Sequence, residues 1–214
     1  MAALQSHPRF PFYLSGGYNG EVCLWEFGVH RMKAVFNNPT KDGRICNVRF
    51  NAHGNTFGSA EYNGILKLWR FAADNAAMKP FYSIQSHQKR ASDLIFLNSG
   101  SVIAAAGIDT NGTDGCNLCI IDSLLPPHKA KVAGAHCNPG GAHVLMYLDQ
   151  YQLLVSGGVQ GDITVYDIRQ RVIMHTFEGE HSDGIRALSA HPNQKVFVSG
   201  STDGNMKVIL KYFN

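Results

Sequence analysis

SGGVQG, residues 156–161, stands between the β-prone runs LLV (153–155) and ITVY (163–166), and the same theme occurs three more times. SGGYNG spans 15–20, SAEYNG 59–64 and SGSTDG 199–204, so serine and glycine keep one spacing throughout. A short apolar run, a turn closed by Asn-Gly, Asp-Gly or Gln-Gly, and a second apolar run make a hairpin. Glycine supplies the positive backbone angle that such a turn needs. Five residues after each glycine comes a bulky side chain: Trp25, Trp69, Tyr166 and Ile209. Gly20 and Gly64 lie 44 residues apart and Gly161 and Gly204 lie 43 apart, while Gly64 and Gly161 are 97 apart, two periods with a small insertion. The missing copy is read at 102–107 and in NLCIID (117–122), with Ile121 at the bulky position. Runs such as ICNVRF (45–50) and IRALSA (185–190) read as innermost strands, and FYSI (81–84) as an outer one. Four short strands per period of about 40–45 residues is the signature of a β-propeller blade. The chain is therefore read as all-β, a single propeller region over 1–214 with blades at 6–36, 45–84, 91–132, 142–177 and 185–210. In this reading the first blade lacks an innermost strand and the last an outer one, which leaves strand edges open.

Composition sets the bounds around this. With 214 residues, 44% hydrophobic and 16% charged, the chain buries a substantial core. Twenty-two glycines spread through the chain fit many evenly spaced turns. The net charge of +3 comes from scattered Lys and Arg, with no run longer than Lys89-Arg90, which argues against nucleic acid as a partner. The first residues, MAALQSHPRFPF, carry no basic region followed by an apolar core, and no apolar run reaches the length of a membrane span. Five cysteines, an odd number, leave no complete disulfide framework and fit reduced thiols in the cytoplasm, where the sequon Asn111-Gly112-Thr113 goes unused.

The pairs Tyr166-Asp167 and Ile121-Asp122 stand where WD repeats carry Trp-Asp, and His87, His136 and His181 precede an innermost strand as the Gly-His histidine of those repeats does. The chain resembles a WD-repeat propeller. More narrowly, SHPRFPFYLSGG (6–17), VRFNAHGNTFGSAEYNGILKLW (48–69), HQKRASDLIFLNSGSVIAAAG (87–107), SLLPPHKA (123–130) and LLVSGGVQGDITVYDIRQR (153–171) resemble the carboxyl-terminal propeller of the DmX-like proteins, or rabconnectins, over about residues 6–208. That resemblance implies a cytoplasmic scaffold peripheral to intracellular vesicles that promotes assembly of the vacuolar-type proton ATPase and acidification. The partners it implies are proteins: pump subunits, assembly factors and small-GTPase regulators, through which the chain associates with membranes. The sequence stops at ILKYFN (209–214), where the family shows Trp and continues, so a fragment or truncated product is expected.

Several constellations invite chemistry. His181, Ser199 and Asp203 have the residue types of a hydrolytic triad. In WD repeats the same positions form a structural hydrogen-bond network, and no glycine-bracketed nucleophile elbow surrounds Ser199. The network reading is preferred, with His136 and Ser156 as a partial copy. Cys116-x-x-Cys119 with His136-Cys137 suggests zinc, yet no second Cys-x-x-Cys accompanies it, so buried apolar cysteines are expected, Cys23 and Cys46 in strands included. Trp25, Trp69 and Tyr166 are assigned to blade packing. No catalytic, cofactor or metal residues are expected. Departures from the period mark candidate interface loops: Asp109, Asn111 and Asp114 in the insertion, Asp74 and Lys79 in the linker before FYSI. Lys129, Lys131, Arg169 and Arg171 form a basic set suited to an anionic membrane or to plain solvation. The sequence is thus read as a non-catalytic interaction scaffold. A WD-repeat subunit of an unrelated trafficking or ubiquitin-transfer complex, and a serine hydrolase, are its rivals.

Overall fold

Each of the four hexapeptides closes a hairpin, and the turn glycines Gly20, Gly64, Gly161 and Gly204 have φ of 83°, 83°, 90° and 83°. A side chain at these angles is strained. The computed structural model describes residues 3–37, 42–71, 79–98, 100–109, 116–191 and 196–210. Among these, all regular structure is β apart from two single-turn 3-10 helices at Pro127–Lys129 and Asp149–Tyr151.

The strands form five antiparallel sheets in chain order. The first holds β1 (Ala3–Ser6), β2 (Phe12–Gly16), β3 (Glu21–Glu26) and β4 (Met32–Asn37). The second holds β5 (Ile45–Phe50), β6 (Thr56–Glu61), β7 (Ile65–Arg70) and β8 (Tyr82–Gln85), and the third β9 (Arg90–Phe96), β10 (Val102–Ile108), β11 (Leu118–Asp122) and β12 (Lys131–Ala135). The fourth holds β13 (Ala142–Leu148), β14 (Leu153–Gly158), β15 (Ile163–Asp167) and β16 (Val172–Phe177), and the last has three strands, β17 (Ile185–Ala190), β18 (Val196–Ser201) and β19 (Met206–Leu210). The innermost strands β1, β5, β9, β13 and β17 pack each against the next, and this order makes the five sheets blades of an open propeller.

The first blade corrects the sequence reading. It has an innermost strand: β1 pairs with β2 from Ala3↔Gly16 to Ser6↔Tyr13. ALQS gives little signal because only Ala3 of the four is buried, and the prolines at 8 and 11 make the segment read as a loop. In the last blade Met206 and Val208 are 80% and 61% exposed. Their counterparts Val22, Leu66 and Ile163, and Leu24, Leu68 and Val165, are buried in sheets that have a fourth strand.

The core lies between sheets. One apolar cluster joins the first and second blades through Leu14, Leu24, Phe36, Ile45, Phe57 and Trp69, and three more join each later pair. Trp69 stacks on Phe57 at 6.0 Å and meets Phe36 of the preceding blade edge-on at 5.6 Å. The closest approach follows a size rule. The residue after the serine of the repeat faces the first residue of the next innermost strand, and Gly16 receives Ile45 as Gly157 receives Ile185. In the two middle blades alanine stands at the equivalent places: Ala60 shares a cluster with Ala91, the second residue of β9, and Ala106, which follows Ala105 and not a serine, shares one with Ala142.

Glycine at 157 is thus required by volume. A Cβ there would sit 2.6 Å from Ile185 Cγ2 and 2.9 Å from Val144 Cγ1. Gly157→Ala should lower unfolding free energy by about 1–3 kcal/mol, the usual cost of overpacking. Pairing it with Ile185→Ala should return part of the loss in a urea-unfolding double-mutant cycle, and strictly additive losses would contradict the size rule.

Candidate functional site

The serine of the repeat anchors a polar network whose other members change from blade to blade. In the first two blades the indole of the bulky position donates to it: Trp25 Nε1 to Ser15 Oγ at 2.9 Å and Trp69 Nε1 to Ser59 Oγ at 3.4 Å. Trp69 is buried and Trp25 half-buried. In the last blade, where Ile209 replaces Trp, histidine makes the link. His181 Nε2 lies 2.8 Å from Ser199 Oγ and His181 Nδ1 lies 3.0 Å from Asp203 Oδ2. The Asn205 amide holds the Asp203 carboxyl below the usual carboxylate range, with His181 and the Ser182 amide adding to this. The network ties the loop before β17 to β18 and to the hairpin turn.

In the fourth blade Ser156 Oγ donates to Asn138 Oδ1 at 2.6 Å, and Asn138 Nδ2 donates to Asp162 Oδ2 at 2.6 Å. Asn138, fully buried, holds there the place that His181 holds in the last blade, while His136 is exposed. Nothing in the sequence singled out Asn138. Burial raises the Asp162 pKa, and the bond from Asn138 opposes this in part. Tyr166, at the bulky position, is buried in the cluster between the third and fourth blades.

The third blade departs further. His87 Nδ1 lies 3.0 Å from Ser86 Oγ, and His87 Nε2 lies 3.3 Å from the Asn117 carbonyl. Asn117 Nδ2 in turn donates to the Asn138 carbonyl at 2.7 Å, so the two networks are continuous. Cys119 Sγ lies 3.8 Å from His87 Nε2, and burial pushes the Cys119 and Cys137 thiols up to about 12. At that value both are protonated thiols, poor ligands and poor nucleophiles. Cys23 and Cys46 lie in β3 and β5 and are half-buried.

Of the candidate interface residues, Asp109 Oδ1 accepts the Gln88 amide and Lys79 is exposed, while Asp74, Asn111 and Asp114 lie outside the described residues. Lys129, Lys131, Arg169 and Arg171 are all exposed. A stronger polar assembly went unread in the sequence. Asp93, on β9 and fully buried, accepts from Asn47 Nδ2 at 2.6 Å and Arg49 Nη2 at 3.0 Å on β5, and from the Leu145 amide at 2.9 Å on β13. One carboxylate thus joins three blades. Read as a strand residue it gave no signal, since its partners come from 44 residues before and 52 after.

One buried histidine, His87, and one half-buried histidine, His143, make stability sensitive to pH. Burial lowers the His87 and His143 pKa values to about 4 from 6.5, with the positive charges of Arg186 and Arg90 adding to the effect at His143. The unfolded chain therefore binds protons near pH 6.5 that the folded chain refuses until about pH 4. Stability should be level above that window and fall as the pH drops through it. Urea unfolding at stepped pH checks this, and His87→Gln should flatten the fall; an unchanged slope would remove His87 from the account.

The comparisons agree with this geometry. Residues 171–209 match the family WD domain, G-beta repeat. DmX-like protein 1 of Mus musculus is 36% identical over 210 residues, covering 96% of this chain, and DmX-like protein 1 of Homo sapiens has the same identity and coverage. The chain spans 7% of the length of each relative. Five blades in chain order, the serine-anchored networks and this similarity lead to one conclusion: the chain belongs to the WD-repeat family, and within it is similar to the DmX-like proteins.

Proposed function

We propose that this chain is a non-catalytic scaffold that holds protein partners in fixed relative positions and supports assembly of the vacuolar-type proton ATPase on intracellular vesicles. The observation that carries the reading is the 36% identity with the DmX-like proteins along 96% of the chain. The pump-assembly clause rests on the resemblance already described. The interaction role has independent physical support: blades locked by buried carboxylate and amide networks form a rigid frame, and the loops between strands are free to vary. No helix among the described residues is long and apolar enough to cross a membrane. Attachment to vesicles is accordingly assigned to protein partners.

The hydrolase rival is disfavoured by one observation. His181, Ser199 and Asp203 have triad distances, but Ser199 is fully buried. A serine nucleophile must reach a substrate carbonyl, and this hydroxyl is spent inside the blade. A fluorophosphonate probe is expected to leave Ser199 unlabelled, and stoichiometric labelling there would revive the rival.

Affinity capture of the tagged chain from vesicle-rich lysate, read by mass spectrometry, tests the pump clause. Proton ATPase subunits or their assembly factors should be enriched over a control propeller. Enrichment of a trafficking or ubiquitin-transfer complex in their place would move the assignment to that complex.

A further inference from the structure

Four of the five innermost strands carry the same irregularity at corresponding positions. The pairing of β5 with β6 skips Cys46, that of β9 with β10 skips Ser92, that of β13 with β14 skips His143, and that of β17 with β18 skips Arg186. A bulged residue leaves the ladder and its side chain is re-aimed. Successive blades therefore each present one side chain at the start of the innermost strand, along one rim. Arg44 and Arg90 stand two residues before the bulges of their own blades.

This rim is cationic and short of partners. Arg44 and Arg90 lie over the one ring of Tyr62, 5.1 and 5.3 Å from its centroid, and Tyr62 is 43% exposed. Arg90 and Arg186 both act on His143, whose depressed pKa registers their field after burial. Among the described residues no carboxylate lies within ion-pair distance of Arg44, Arg90 or Arg186. Glu61, on the same rim, is held by Lys67 at 2.6 Å, which leaves Asp183 as the acid near Arg186. Arg90 Nε, Ser92 Oγ and His143 Nδ1 are buried without hydrogen-bond partners, and Ser92 is only 6% exposed. Those three atoms are closed to solvent, so the groups that a ligand can reach on this rim are the exposed guanidinium groups of Arg44 and Arg186 and the partly exposed one of Arg90.

We propose that Arg44, Arg90 and Arg186 bind the carboxylate side chains of an acidic segment of a partner polypeptide. Guanidinium groups pair with carboxylates in forked geometry. Their arrangement selects the kind of anion. Tyr62 links Arg44 to Arg90 and His143 links Arg90 to Arg186, so the charges run along the rim over several blades. A row of this kind matches acids strung along an extended chain better than one compact anion. The site goes beyond the pump-assembly reading and holds for whichever complex the chain serves.

The test is a fluorescence-anisotropy titration of the 214-residue chain with a short fluorescein-labelled peptide of alternating Glu and Ser. Saturable binding that weakens with added salt is expected, with no binding of the Gln-for-Glu peptide. Arg90→Ala, and separately Arg44→Ala with Arg186→Ala, should each weaken binding by about tenfold or more. Arg90→Lys, which keeps the charge and loses the fork, should bind between the parent chain and Arg90→Ala, and Lys129→Ala with Arg169→Ala should leave binding unchanged. Arg44 and Arg186 are exposed, so their replacement leaves the core intact, and an unaltered urea midpoint verifies this. The proposal is overturned if the arginine variants bind like the parent chain, if the Lys129 and Arg169 control loses as much, or if inorganic phosphate at the peptide's concentration displaces it. Capture of pump subunits plays no part in these readouts, so failure here and failure of the assembly reading are separable.

Discussion

The Asp93 carboxylate accepts hydrogen bonds from both neighbouring blades as well as its own, and the relative placement of the three central sheets depends on it. A buried charge is tolerated only when its lone pairs are filled, and here Asn47, Arg49, the Leu94 amide and the Leu145 amide fill them. Apolar contact between twisted sheets is non-directional and would permit sliding. Hydrogen bonds to a single carboxylate fix the register of β5, β9 and β13. Breaking such a pair from one side ordinarily costs about 3 kcal/mol or more, a large share of a domain's stability.

Within each blade the same logic works on a smaller scale. A serine at a constant place in the second strand has its hydroxyl taken up by an indole in two blades, by Asn138 in the fourth and by His181 in the last. The chemistry is interchangeable because the requirement is only that a buried hydroxyl and the loop beside it be satisfied together. This reuse gives the His, Ser and Asp at triad distances a structural role in the last blade. Its counterparts in the other blades do the same holding work with groups that have no catalytic chemistry.

Most buried polar groups are consumed by the frame, which makes the exceptions informative. The bulge at the start of four innermost strands costs ladder pairing four times over and delivers side chains to one rim. There the positive charges of three arginines are left without ion partners among the described residues, beside polar atoms without hydrogen-bond partners. A rigid frame that presents a row of positive charges is the arrangement expected of a scaffold, since rigidity lowers the cost of ordering on association.

The sequence by itself determined the repeat: hairpin formation is local, and a serine, a turn glycine and a bulky residue at constant spacing place every second and third strand wherever the turn is regular. It also determined the fold class and the strands of the last hairpin. Only the tertiary structure decided that ALQS is a strand, because its partner Tyr13–Gly16 and not its own alternation recruits it. It likewise decided the roles of Asp93 and Asn138, and the bulges that gather Arg44, Arg90, His143 and Arg186. Those roles depend on which side chains arrive from blades dozens of residues away, and no local pattern encodes an arrival. The glycine and alanine after each serine lie between the two cases: their identity is plain in the sequence, but the volume they must leave for Ile45 or Ile185 exists only once two sheets have packed.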